Sequence, residues 1–60
     1  RVPEWAEDKA RGIAREKGRD YYALRSDWLA FAKSEAAKGN PPKNNGAAFV
    51  AYCQKQPSLR

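Results

Sequence analysis

Apolar side chains recur at steps of three and four residues in three stretches of this chain, a spacing typical of one face of an amphipathic α-helix. The clearest stretch is the middle one, whose apolar members are Tyr21, Leu24, Trp28, Leu29, Phe31, Ala32 and Ala36. Asp20 is a favourable N-cap for it, and Gly39 with the two prolines that follow prevents its continuation. The pattern predicts a helix over residues 20–38, although a cap at Ser26 or Asp27 would give a shorter one.

The first stretch predicts a helix over residues 3–17. The residues that follow helical spacing are Trp5, Ala6, Lys9, Ala10, Ile13 and Ala14, and Lys9 can cover apolar surface with its aliphatic stem. Pro3 suits the first turn, where a missing N–H costs nothing, and Gly18 is a favourable stop. Gly12 lowers the stability of the helix by about 1 kcal/mol relative to alanine, and it is a candidate point for a close crossing of two helices.

The third stretch follows a loop rich in glycine, proline and asparagine at residues 39–46 and predicts a helix over residues 45–55. Asn44 or Asn45 would cap this helix. Its inner face would be formed by Phe49, Val50, Tyr52 and Cys53. Pro57 ends it, and the three residues after Pro57 are expected to fray.

Three amphipathic helices joined by two short connections predict an all-α fold, a compact three-helix bundle within a single domain of residues 1–60. The expected core side chains are Ile13, Leu24, Trp28, Phe31, Phe49 and Tyr52, with Trp5 at one end. No stretch alternates with the period of a β-strand, and the chain contains no internal repeat. Because the chain begins with Arg1 rather than methionine, we interpret it as part of a longer protein.

The sequence carries no feature of a membrane or secreted protein. No apolar run approaches the roughly 20 residues that a transmembrane helix needs, and no signal-peptide pattern is present. Cys53 is the only cysteine, so an internal disulfide is impossible, and its apolar neighbours favour a small buried side chain over a reactive thiol. We expect a soluble, cytoplasmic domain with no membrane partner.

Charge is distributed unevenly along the chain. The formal net charge is +5, from 12 Lys and Arg residues against 7 Asp and Glu residues. Residues 1–39 are close to balance, whereas residues 40–60 contain no acidic residue and three basic ones, Lys43, Lys55 and Arg60. A basic, acid-free end favours a polyanionic partner, although solubilising surface charge would give the same pattern.

The residue types that catalysis needs are missing. The chain has no histidine and a single cysteine, which excludes the usual general base, a Ser-His-Asp arrangement and a zinc cluster. Neither common glycine-rich phosphate loop is present. The acids Glu7, Asp8 and Glu16 lie on a solvated helix, where an acid pair has no cleft in which to act. We therefore expect a binding domain and not an enzyme, with no cofactor and no metal.

The candidate nucleic-acid-binding residues fall into two groups. The first surrounds the third helix and the loop before it: Lys38, Lys43, Asn44, Asn45 and Lys55. A helix N-terminus offers free N–H groups and a partial positive charge, so phosphate binds there readily. Gly46 and Ala47 are small enough to allow its close approach. The alternative interpretation is a rigid, capped turn without a ligand.

The second group is Arg15, Arg19, Arg25 and Tyr22. Tyr22 lies off the apolar stripe of its helix, which makes it the best candidate ring for base stacking. Most of the other rings are needed for the core, and Trp5 is a weaker candidate. Arg11 shares a helix face with Arg15. The alternative for these arginines is pairing with nearby acids on an ordinary solvent-exposed face.

Residues 20–31, 41–44 and 47–53 read DYYALRSDWLAF, PPKN and AAFVAYC. Together they resemble a short C-terminal helical module of plasmid and phage replication proteins, in which a helix with a Trp-x-x-aromatic pattern is joined by a polar loop to an Ala-Ala-Phe-x-x-aromatic helix. The single-strand-binding domain of DnaT-type primosomal proteins is similar in outline. The resemblance covers residues 20–55 and implies DNA binding within a replication or mobilisation protein of a mobile element. The first helix lies outside it.

These observations predict a non-catalytic DNA-binding domain of a replication-type or mobilisation-type protein. Single-stranded DNA is slightly favoured, because no helix presents the row of Arg, Asn and Gln side chains expected of a major-groove reader. The alternative partner is another replication protein, and the domain would then be a docking module that recruits a helicase, primase or relaxase. A purely structural helical spacer is the third interpretation.

Overall fold

The computed structural model describes residues 2–59 and contains three α-helices. They are α1 (Glu4–Lys17), α2 (Tyr21–Ala37) and α3 (Asn45–Lys55). No strand occurs within these residues. The all-α class and the three-helix bundle are therefore confirmed. The bounds of α3 are as predicted. Helix α1 begins one residue later than predicted, with Pro3 as its N-cap, and α2 is one residue shorter than predicted at each end.

Local sequence sets the ends of the helices. Gly18 follows α1 with a left-handed φ of 69°, which glycine adopts without steric cost. The Asp20 carboxylate accepts a hydrogen bond from the Tyr22 N–H (3.2 Å), so α2 begins there and not at Ser26 or Asp27. Asn44 and not Asn45 caps α3.

The buried core draws on all three helices. Its members are Val2, Ala6, Ala10, Ala14, Tyr21, Leu24, Trp28, Phe49, Val50 and Cys53. From α1 the core receives only alanines, spaced four residues apart on one face. Methyl groups let α1 lie close against its neighbours, and the most extensive interface in the bundle joins α1 to α3.

Phe49 lies at the centre of the aromatic packing. Its ring centroid is 5.2 Å from that of Trp28 and 6.2 Å from that of Tyr21, and both pairs are inclined rather than parallel. Such inclined pairs bring a ring edge toward a ring face, which is the favourable electrostatic arrangement. The predicted core positions Leu24, Trp28 and Phe49 are confirmed, and Cys53 is a buried side chain as expected.

The second half of α2 lies outside the core, which corrects the prediction for Phe31. This side chain is 50% exposed, and no residue of α2 after Trp28 is buried. The ring of Phe31 lies beside α3, where it contacts the ring of Tyr52. The other α3 side chains near it include Ala48 and Ala51, which are too small to cover the ring, so a groove remains. Ile13 and Tyr52, also predicted as core residues, are half-buried and pack at the edge of the core.

Two helices approach each other closely at Gly46. Such a crossing was predicted at Gly12, and that prediction is wrong. A β-carbon on Gly12 would meet nothing within 4 Å. Gly46, in contrast, is buried beneath Pro3 and Trp5 at the start of α1. Trp5 lies with one side of its ring against α3 and is otherwise 54% exposed. It therefore closes the end of the bundle without entering the core.

The C-terminal segment is held to the end of α1. The Lys17 ammonium donates to the carbonyl oxygens of Gln54 (3.1 Å) and Gln56 (2.6 Å). The Leu59 N–H donates to the Lys17 carbonyl oxygen at 2.7 Å. Fraying was expected from residue 58 onward, and this hydrogen bond corrects that prediction as far as Leu59. Arg60 lies outside the described residues.

Candidate nucleic-acid interface

Two of the predicted lysines lie at the loop between α2 and α3. Lys38 is the C-cap of α2, and its ammonium is 3.4 Å from the half-buried Glu35 carboxylate. Because the lysine itself is exposed to solvent, phosphate can compete for it. Lys43 is exposed, and within residues 2–59 it has no carboxylate partner.

The first turn of α3 is partly occupied by the protein itself. The Asn44 side-chain oxygen accepts the Ala47 N–H at 3.0 Å, and Asn45 is half-buried. Pro3 and Trp5 cover Gly46, so the expected close approach of phosphate at Gly46 is wrong; those two rings fill the space. Ala47 is exposed, which leaves this side of the turn open.

Lys55 lies at the far end of α3. It is exposed, and no carboxylate in the described part of the chain pairs with it. Ten residues of helix separate it from Asn45, a distance of about 15 Å along the axis. The basic groups of the loop and Lys55 therefore lie toward opposite ends of α3 and do not form one tight cluster.

An apolar groove adjoins Lys55. It has a volume of about 420 Å³ and is lined by Phe31, Ala48, Ala51, Tyr52, Lys55 and Gln56. The Phe31 and Tyr52 rings are in contact, with centroids 5.5 Å apart and planes inclined by 33°. Sequence reasoning missed this exposed ring because Phe31 continues the buried stripe of α2. The small residues Ala48 and Ala51 of α3, which cannot cover a ring, were the available signal.

The predicted arginines have different surroundings. Arg15 is exposed and forms no ion pair within the described residues. Arg19 donates to the Pro57 carbonyl oxygen at 3.0 Å and thereby helps to hold the C-terminal segment. Arg25 is 3.7 Å from the Glu7 carboxylate. A role for these three residues in binding DNA stays a prediction, and for Arg19 and Arg25 the structure adds an intramolecular contact.

Arg11 and the two neighbouring tyrosines form a separate surface. Arg11 pairs with Asp8 at 3.4 Å, and its guanidinium carbon lies 4.8 Å from the centroid of the Tyr21 ring. Tyr22 is 70% exposed, as expected for a stacking candidate, and its edge contacts the Tyr21 ring with centroids 5.2 Å apart. Tyr22 is thus an accessible ring beside the cations of α1 and α2.

Burial changes the proton affinity of two side chains. It raises the pKa of the Tyr21 hydroxyl, and the nearby Glu7 carboxylate raises it further. The Tyr21 hydroxyl is buried without a hydrogen-bond partner. Burial also raises the pKa of the Cys53 thiol. The thiol therefore stays protonated at neutral pH, as expected for a small buried side chain rather than a nucleophile.

A second cleft lies between the start of α1 and α2. Its volume is about 410 Å³ and its lining is Val2, Pro3, Glu4, Glu7 and Arg25. Across residues 2–59, no three His, Cys, Asp or Glu side chains come together in a way that could hold a metal ion. In the same residues, no helix combines the length and apolar character needed to cross a bilayer.

Lysine ammonium groups and half-exposed aromatic rings are the chemistry available at the surface of α3 and the loop. Ammonium groups bind phosphate as point charges, and rings stack on bases. In comparisons with models of protein families, with curated proteins and with solved structures, none matches this chain.

Proposed function

We propose that this domain binds DNA, as the non-catalytic nucleic-acid-binding part of a replication-type or mobilisation-type protein. The observation that carries the proposal is the separation of charge along the chain. All 7 carboxylate side chains precede residue 36, whereas the segment 36–59 carries Lys38, Lys43 and Lys55. This segment forms the end of α2, the loop and α3. Lys38 is paired with Glu35, but Lys43 and Lys55 have no carboxylate partner within residues 2–59 and are open to a polyanion.

Single-stranded DNA is the favoured form. The exposed residues of α3 include Ala47, Gln54 and Lys55, which do not amount to a row of base-reading side chains for a major groove. Half-exposed or exposed rings at Trp5, Tyr22 and Phe31 suit bases that are free to stack. The resemblance of residues 20–55 to a module of replication proteins points in the same direction.

Phosphates would be held mainly from the loop and α3. Lys43 and Lys55 have no carboxylate partner within residues 2–59, and Lys38 becomes free when its pair with Glu35 opens. Asn45 and the open side of the first turn of α3 add polar contacts. Arg15 with Tyr22 would supply a secondary contact, joined by Arg19 and Arg25 where phosphate replaces their present partners.

Salt dependence tests this proposal. A fluorescein-labelled single-stranded oligonucleotide and a duplex of the same length are titrated with the 60-residue chain between 50 and 200 mM salt. If three or four phosphates are neutralised, the log–log slope for the single strand is about −2 to −3. An affinity that does not change with salt concentration, or no binding near 50 mM salt, contradicts the proposal.

A pair of matched double variants locates the contact. K43Q/K55Q removes two charges from the loop and α3, and we expect the slope to become shallower by about 1.4. K9Q/K33Q removes two charges from exposed lysines of α1 and α2 that have no carboxylate partner in the described part of the chain. The control should change the slope less. Equal effects would show that only net charge matters.

The second candidate function is a docking module that recruits a helicase, primase or relaxase. It is favoured by the second half of α2, where Leu29 and Phe31 are exposed. An apolar contact of this kind loses little affinity with added salt. The salt titration described above therefore separates the two functions.

A further inference from the structure

The groove between Phe31 and α3 has the shape and charge of a site for one planar ring beside a phosphate. Its floor consists of the small side chains Ala48 and Ala51, and its wall is the pair of Phe31 and Tyr52 rings. Phe31 is 50% exposed although Tyr52 contacts it, so part of its ring surface is free. Among residues 2–59, Lys55 is the one charged residue of the lining.

We infer that this groove holds a base of single-stranded nucleic acid, stacked on Phe31, with Lys55 on the adjoining phosphate. The inference rests on the proposed function and names a subsite for it. An exposed ring next to a lysine is the arrangement that binds single strands without sequence preference. The groove runs along α3 from Ala48 to Gln56, with Lys55 at the end farther from the loop, so a strand that contacts both Lys55 and the loop would follow α3.

A base fits this groove better than an acidic amphipathic peptide does. A helix bound in a groove needs two walls and several anchor pockets, but α2 contributes a single lining residue, Phe31. An acidic peptide would also need several cations, and the lining offers one. A nucleotide brings one charge and one ring. Asp27 and Glu35 lie one turn before and after Phe31 but do not line the groove, and Glu35 is paired with Lys38.

The experiment compares two oligonucleotide probes that carry the same phosphates. One is labelled oligo-dT of twelve nucleotides, and the other is an abasic strand of equal length. Wild-type protein should bind oligo-dT more tightly. F31A should lower the affinity for oligo-dT by about 5- to 150-fold, the usual effect of losing one stacked base. Because Phe31 has no charge, the affinity for the abasic strand and the salt slope should not change.

Two further variants control for indirect effects. L29A removes an exposed apolar side chain of the same helix that does not line the groove, and it should leave both affinities unchanged. F31W keeps a flat ring and should keep the affinity for oligo-dT. Circular dichroism checks that each variant is folded, which we expect because Phe31 is outside the buried core.

The outcomes separate the subsite from the function. If F31A binds oligo-dT as wild type does while the salt slope is retained, the subsite is wrong and the proposed function stands. If wild-type protein binds neither probe, the subsite and the proposed function are both wrong. Equal weakening for the two probes would show that Phe31 acts through the fold, which overturns the inference. An acidic amphipathic peptide that binds wild type but not F31A, without oligo-dT binding, would assign the groove to a protein partner and overturn it as well.

Discussion

The indole ring of Trp5 lies directly over Gly46, so closely that a β-carbon on Gly46 would be 2.6 Å from Cζ2 of Trp5. The same β-carbon would be 2.8 Å from Cγ of Pro3. Real side chains do not tolerate such distances, so the first turns of α1 and α3 can meet only because residue 46 is glycine. A contact between two helix starts thus depends on one missing methyl group.

Alanine at this position should destabilise the bundle. We expect G46A to lower the free energy of unfolding by about 1–3 kcal/mol, since the rings of Trp5 and Pro3 must move. G12A is the matched control: it adds the same methyl group inside α1, where nothing lies within 4 Å, and should stabilise by up to about 1 kcal/mol. Urea denaturation followed by circular dichroism measures both. If the two substitutions changed the free energy of unfolding in the same direction and by a similar amount, the contact of Trp5 and Pro3 with Gly46 would be contradicted.

Lys17 stabilises the end of α3 by binding its carbonyl groups. In K17M the hydrophobic stem is kept, but the hydrogen bonds to the oxygens of Gln54 and Gln56 are lost. We expect a loss of about 1 kcal/mol, because the ammonium also opposes the negative end of the helix dipole. K9M is the control, since Lys9 is exposed. Thermal denaturation of the two variants should differ by several degrees, and identical midpoints would contradict this role.

The Tyr21 hydroxyl should make the protein sensitive to alkali. Burial, with the Glu7 carboxylate, raises the pKa of Tyr21 in the folded state, so the folded protein holds this proton more tightly than the unfolded chain. The resulting stabilisation is complete below the ordinary tyrosine pKa of about 10 and is lost as the pH rises through the folded pKa. Y21F should therefore lose less stability above about pH 10 than wild type does.

The same variant should not be weakened at neutral pH. Because the Tyr21 hydroxyl is buried without a partner, we expect Y21F to match wild type or to gain up to about 1 kcal/mol. Y22F is the control for an exposed ring and should behave as wild type at neutral pH. Urea denaturation at pH 7 and pH 11 tests both statements, and a large loss for Y21F at pH 7 would show that the hydroxyl has a partner.

Cys53 should react with thiol reagents only when the domain opens. The side chain is fully buried, and burial raises its pKa. For a domain stabilised by roughly 3–5 kcal/mol, reaction with a disulfide reagent should be slower by roughly 10²- to 10³-fold or more than in urea-unfolded protein. Absorbance of the released thiolate measures both rates. Comparable rates in the two states would contradict the burial of Cys53.

The fold could be predicted from the sequence because its signals are local. Asp20, Gly18 and Asn44 act on the backbone within a few residues, so their roles follow from their neighbours in the chain. The exposure of Phe31 depends instead on the small residues beside it on α3, and the position of Trp5 depends on a glycine some forty residues later. Such relationships between distant elements leave no periodic trace in the sequence.

The candidate site was predictable to a smaller extent. Exposure of Lys43, Lys55 and Tyr22 follows from charge and from the helical period, and the structure agrees. The contacts of Arg19 with Pro57 and of Arg25 with Glu7 could not be foreseen, since each joins two separate segments. The groove at Phe31 was not predicted, because Phe31 belongs to the apolar stripe of α2 and only the first half of that stripe is fully buried.

That half-covered stripe has a consequence for local opening of the bundle. Beyond Trp28, α2 has no fully buried side chain, and Ala32 is the last residue of this helix that packs against the core, so the turns after Ala32 can unwind without disrupting it. Their amide protons should exchange with deuterated solvent well before those of α1 and α3, and independently of global unfolding. A ligand seated on Phe31 would slow exchange in these turns first, so the least protected part of the domain would respond most strongly to binding.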